Sequence, residues 1–185
     1  MKDIQLTTNF KLSEFISSDP NAYQLVLLTK LAKNLQIVRD LLQDYSVTGK
    51  KVSVSITSGV RTEADYNRLV SKGYNPSKTS DHFCGLQLSA KPTIGAADLK
   101  INNCKLSYRQ IAAKLIEWNE DTKNDLLLGQ IIYERNPATG AEWIHVGNDW
   151  YNVFDTEIAK AIDTMRQKYL MSLDNGKTYV TFSAT

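Results

Sequence analysis

Val52-Ser53-Val54-Ser55-Ile56-Thr57 alternates apolar and polar residues and is closed by Ser58-Gly59. This is the pattern of a strand with one face in a core and the other toward water. On its N-terminal side the period changes. Leu25, Leu28, Leu31, Leu35, Val38 and Leu42 recur at three- and four-residue steps. They predict one buried stripe on a long helix over about 21–43. Asp19 is its expected N-cap, with Pro20 at the first helical position, where a missing N–H costs nothing. Phe10-Lys11-Leu12-Ser13-Glu14-Phe15 reads as a short entry element with one helical turn. On the C-terminal side Thr62 caps a second helix through Leu69, and Gly73 stops it.

The alternation of helix and strand signals continues to the end. A strand is expected over 94–101, and a helix runs from the Ser107/Gln110 capping box to about Trp118. Strands follow over 129–134 and 142–146. A last helix is read over 155–169, with Ile158, Ala161, Ile162 and Met165 inward. Asp174-Asn175-Gly176-Lys177 marks a turn before a short strand over 179–182. The expected fold class is α+β, a small antiparallel sheet with helices packed on it, in one continuous domain over 1–185.

The 185 residues suffice for one core. With Lys plus Arg at 22 and Asp plus Glu at 20, the net charge is only +2. That balance argues against nucleic acid or an anionic membrane as partner. No apolar run reaches the roughly 20 residues of a bilayer span. Met1-Lys2-Asp3-Ile4-Gln5 lacks a secretory signal, so synthesis in the cytoplasm is expected. Cys84 and Cys104 read as free thiols.

The chain contains two histidines, His82 and His145. His82 lies in a polar loop after Lys78-Thr79-Ser80-Asp81, and His145 lies on a strand after Trp143. Asp98 follows Gly95-Ala96-Ala97 on the strand that leaves the His82 loop. Two imidazoles and a carboxylate suit a catalytic zinc, because three protein ligands leave the fourth position to water. Such chemistry needs a proton acceptor. Glu142, three residues before His145, and Glu134, at the end of the preceding strand, are the candidates, although either also fits an ordinary surface carboxylate. Arg61, at a helix start where a cation is disfavoured, could bind a substrate carboxylate or polarise a carbonyl. A Cys2His2 site from His82, Cys84, Cys104 and His145 is the competing drawing, with ligands closer in sequence than zinc sites usually place them.

These motifs together resemble the hedgehog/D-Ala-D-Ala carboxypeptidase family of zinc peptidases, in its bacterial and phage branch. Phe10 to Phe15 is similar to the family's entry motif. Thr57-Ser58-Gly59-Val60-Arg61 resembles its Thr-Ser-Gly-Tyr-Arg motif, with Val60 in place of tyrosine. Ser80-Asp81-His82-Phe83-Cys84-Gly85 resembles Ser-x-His-x-x-Gly, Ala96-Ala97-Asp98 its Ala-x-Asp end, and Trp143-Ile144-His145-Val146 its Trp-x-His-Val motif. The resemblance covers about 9–148, with the blocks in the family's order. It implies His82, Asp98 and His145 as zinc ligands, Glu142 as the preferred base with Glu134 as rival, Arg61 at the substrate or oxyanion, and Ser80 on the substrate-side loop.

One spacing departs from the family. Its aspartate follows the first histidine by seven residues; here the separation is 98 − 82 = 16. About nine residues are therefore inserted near 86–94, which loop-closure entropy tolerates. They are expected to form a flap beside the metal.

The activity implied is zinc-dependent hydrolysis of peptide bonds in peptidoglycan stem peptides or cross-links. It would be reached through phage lysis or as part of a virion. The alternative is a non-catalytic zinc-containing binding or structural module, for example a phage virion component. A third reading is a globular domain without metal.

Overall fold

The computed structural model describes residues 3–74, 76–85, 93–149 and 168–184. Among these described residues three helices, α1 (Ala22–Leu41), α2 (Glu63–Ser71) and α3 (Tyr108–Glu120), accompany six strands. These are β1 (Ser53–Ser58), β2 (Ala96–Asn102), β3 (Leu128–Arg135), β4 (Glu142–Asn148), β5 (Tyr169–Ser172) and β6 (Val180–Thr181). They form one sheet in the order β1-β2-β4-β3-β5-β6. The fold class is α+β.

The caps are mostly those of the sequence. Thr62 Oγ1 accepts from Asp65 N at 3.2 Å, and Ser107 Oγ from Gln110 N at 3.3 Å. The first helix differs, for it is capped by Asn21 rather than Asp19. Asn21 Oδ1 accepts from Gln24 N at 2.8 Å, and Gln24 Oε1 accepts from Asn21 N at 3.1 Å. This reciprocal box satisfies two orphan donors, where Asp19 alone would satisfy one. The same helix ends at Leu41 and tightens into a 3-10 turn, Leu42–Tyr45.

Strand alternation divides the sheet into two faces. Ala97, Leu99 and Ile101 of β2, Ile131 and Tyr133 of β3, and Ile144 and Val146 of β4 enter the main core. There they join Leu27, Leu28, Leu31, Leu35 and Val38 of α1, and Ile111, Ala112 and Leu115 of α3. The opposite face carries Asp98, Gln130, Ile132, Glu134, Trp143 and His145, which line a cleft. Leu25, expected in the α1 stripe, is only partly buried.

Two expectations about the sheet need correction. The sheet is mixed, because β5 runs parallel to β3, although its other pairings are antiparallel. Tyr169, read as the end of the last helix, instead opens β5. Tyr169-Leu170-Met171-Ser172 is too short an apolar run for periodicity to separate strand from helix. Residues 155–167 of the helix read over 155–169 lie outside the described residues, as does most of the insertion at 86–94. Among the described residues, no helix is long and apolar enough to cross a membrane.

Candidate metal centre

The site is assembled around close backbone contacts. A Cβ on Gly59 would fall 2.2 Å from Phe15 O, so only glycine admits the entry segment there. Val60 N then donates to Phe15 O at 2.7 Å, and Arg61 N donates to His82 O at 2.8 Å. The result is a brace joining the entry segment, the end of β1 and the His82 loop. A β-bulge between Ile56 and Ser58 brings Ser58 opposite Asp98, and Asp98 is itself the direct cross-strand partner of His145. Two of the three candidate ligands are therefore neighbours by sheet register.

His82 reaches them from a 3-10 turn, Asp81–Phe83. Asp81 ties this turn to the strand that follows. Its Oδ1 accepts from Ile94 N at 3.1 Å, and its carbonyl accepts from Cys84 N at 3.0 Å and Gly95 N at 3.1 Å. Gly85 N donates to Thr93 O at 2.8 Å. The two ends of the inserted stretch are thus pinned together. A sixteen-residue separation in sequence consequently does not keep His82 from Asp98.

His82 Nε2 lies 3.2 Å from Asp98 Oδ1 and 3.2 Å from His145 Nδ1, and His145 Nδ1 lies 3.1 Å from Asp98 Oδ1. Relative exposures are 1% for His82, 8% for Asp98 and 7% for His145. His82 Nδ1 is 2.7 Å from Gly59 O, a pure acceptor, so Nδ1 carries the proton. In the neutral ring the Nε2 lone pair then points into the cluster. Three atoms able to offer a lone pair meet there: His82 Nε2, Asp98 Oδ1 and, in the tautomer protonated at Nε2, His145 Nδ1. A cation at their centre satisfies all three lone pairs, and the group could hold a metal ion. Ligands about 2.0–2.1 Å from a tetrahedral zinc lie roughly 3.3 Å apart, close to the three edges found. His145 Nε2 is buried with no hydrogen-bond partner among the described residues.

Burial works against the charge on Asp98, but the His82 and His145 imidazoles outweigh it and hold its carboxyl well below the ordinary value. Arg61 Nη2 donates to Asp98 Oδ2 at 3.0 Å, while Nε and Nη2 donate to Ser58 Oγ at 3.3 and 3.2 Å. Oδ2 is thereby engaged, and Oδ1 is left to the cluster. The unfavourable position of Arg61 at the start of α2 is offset by this ion pair.

The cluster sits in a cleft of about 510 Å³ that Arg61, Ser80 and Glu134 also line. Glu134 is buried, which raises its pKa; the Asp98 charge adds to the rise. Glu142 lies elsewhere. It shares the face of β4 with Ile144 and Val146, does not line the cleft, and accepts a hydrogen bond from the Tyr133 hydroxyl. Parity explains this, since residues three apart on a regular strand point to opposite faces. Of the two candidate bases, the structure brings Glu134 to the cluster and Glu142 to the other side of the sheet.

Comparison with protein-family models, curated proteins and solved structures finds no match.

The cysteines take no part in the cluster. Both are free, and burial pushes the Cys84 thiol up to about 12. The metal-capable group contains neither, which removes the Cys2His2 drawing. Sequence reasoning overlooked one wall of the cleft, made by Leu170, Asn175, Gly176 and Tyr179. The turn at 174–177 was legible, but nothing local indicates that it lies beside Glu134.

Proposed function

We propose that the chain is a zinc-dependent peptidase acting on peptide bonds of peptidoglycan stem peptides or cross-links. The observation that carries this reading is the convergence of His82 Nε2, Asp98 Oδ1 and His145 Nδ1 beside the buried carboxylate of Glu134, in an open cleft. The substrate class and the phage or bacterial setting rest on the ordered motif resemblance.

His82, Asp98 and His145 would hold the ion. Bound zinc supplies a Lewis acid that polarises a carbonyl and lowers the pKa of water to about 7. Glu134 accepts the proton from water as its oxygen bonds to the scissile carbon. It delivers that proton to the amide nitrogen as the C–N bond breaks. Burial raises the Glu134 pKa above the ordinary carboxylate value, which makes its carboxylate a stronger proton acceptor. Arg61 holds Asp98 in place through Oδ2 and lines the cleft, where its guanidinium would orient the substrate carbonyl. Ser80 lies on the loop side of the same cleft.

The test combines metal analysis with digestion of purified cell walls, for wild type and His145→Ala. The expected result is about one zinc per chain, release of soluble peptides, and loss of both in the variant. Iron in place of zinc (two histidines and one carboxylate also bind ferrous iron) without hydrolysis would overturn the proposal. Wall binding with zinc retained but no cleavage would favour a non-catalytic module.

A further inference from the structure

The C-terminal turn after β5 has no place in the motif resemblance, yet it reaches Glu134. The parallel pairing of β5 with β3 sets Ser172 opposite Glu134. Asp174 then organises the turn. Its Oδ1 accepts from Ser172 Oγ at 2.9 Å, Lys177 N at 3.1 Å and Thr178 N at 2.9 Å, and its Oδ2 accepts from Thr178 Oγ1 at 2.6 Å. Gly176 N donates to Ser172 Oγ at 2.9 Å, and Asn175 N to Arg135 O at 3.0 Å. Gly176 has φ +76°, and a Cβ there would stand 3.0 Å from the Tyr179 hydroxyl. Glycine thus leaves room for that hydroxyl, which donates to Glu134 Oε1 at 3.2 Å.

We propose that Tyr179, carried on the Asp174-built turn, is a positioning residue for Glu134, holding the orientation of its carboxylate in the cleft. This deepens the peptidase reading and rests on it. The hydrogen bond directs the carboxylate plane and favours its ionised form. The other charged groups facing Glu134 are Asp98, which opposes ionisation, and His145 and Arg61, which favour it. A tyrosine that merely anchored the C-terminal segment would be replaceable by phenylalanine without loss of kcat.

The experiment uses zinc-loaded protein with Tyr179→Phe and, as a second route to the same loss, Asp174→Ala. In both, kcat on cell-wall peptides is expected to fall about tenfold, with KM within a factor of two, as for misplacement of a proton-transfer group. The acidic limb of the pH profile moves to higher pH, because a favourable partner of the carboxylate is gone. Carbon-detected NMR titration of the Glu134 carboxyl in the same proteins should show its midpoint rising. Wild-type kcat and an unmoved midpoint in Tyr179→Phe would overturn the proposal. If wild type itself turns over nothing, the peptidase reading fails. The NMR midpoint then decides the Tyr179–Glu134 coupling alone: a rise supports it and no rise overturns it.

Discussion

Glu134→Gln and Glu142→Gln remove the same charge from positions on opposite faces of one sheet, and they should behave differently. The amide introduced by Glu134→Gln keeps the side-chain size and an acceptor for Tyr179, but it has no basic oxygen to take a proton. Loss of a general base costs about 10²–10⁴-fold in rate, or roughly 3–5 kcal/mol of barrier. Glu142 faces away from the cleft, with its carboxylate on the Tyr133 hydroxyl. Glu142→Gln converts a charge-assisted hydrogen bond into a neutral one, worth roughly 1 kcal/mol of stability. Its kcat is expected to stay within about a factor of two of wild type. Peptide release from cell walls measures the first effect, denaturant unfolding the second, and metal analysis checks that both variants still carry zinc. A Glu142→Gln protein as inactive as Glu134→Gln, with metal and fold intact, would refute the assignment of faces.

Metal should stabilise the fold as well as activate it. Zinc at 1,000 times its dissociation constant adds about 4 kcal/mol, so chelation should lower Tm by roughly 8–16 °C in a chain of this size, read by calorimetry, and no change would count against the site. In chelated protein at neutral pH, Glu134→Gln should melt higher than wild type. The sign follows from the raised folded-state pKa of Glu134: its contribution is present below the unfolded value near 4.3 and is lost as pH rises through the folded value. The difference should therefore close below about pH 4, and a lower-melting variant at pH 7 would contradict the burial argument. Gly59→Ala should lose more than about 2 kcal/mol in urea unfolding, because its methyl meets Phe15 O at 2.2 Å; a neutral substitution would mean that the brace is dispensable.

Much of the fold was readable because local rules were obeyed. The Thr62 cap and the Ser107/Gln110 capping box lie where the sequence puts them, and the patterns over 52–57 and 142–146 mark strands present in the structure. Asn21 took the cap from Asp19 because Gln24, three residues on, could reciprocate, whereas Asp19 has Ala22 at that place. The four residues of β5 were not readable, since a short apolar run has no period of its own.

The candidate site divides in the same way. His82, Asp98 and His145 could be named from sequence because few residue types bind a metal through lone pairs, and the chain has only two histidines. Glu142, the base preferred from the resemblance, sits on the opposite face from His145, which the parity of a strand over 142–146 could have shown. What only the tertiary structure decided was proximity between distant segments. The Gly85–Thr93 hydrogen bond that closes the insertion, the Asp98–His145 register and the approach of Tyr179 to Glu134 all depend on how strands remote in sequence pair. Register is set by burial across the whole sheet, so no local pattern encodes it.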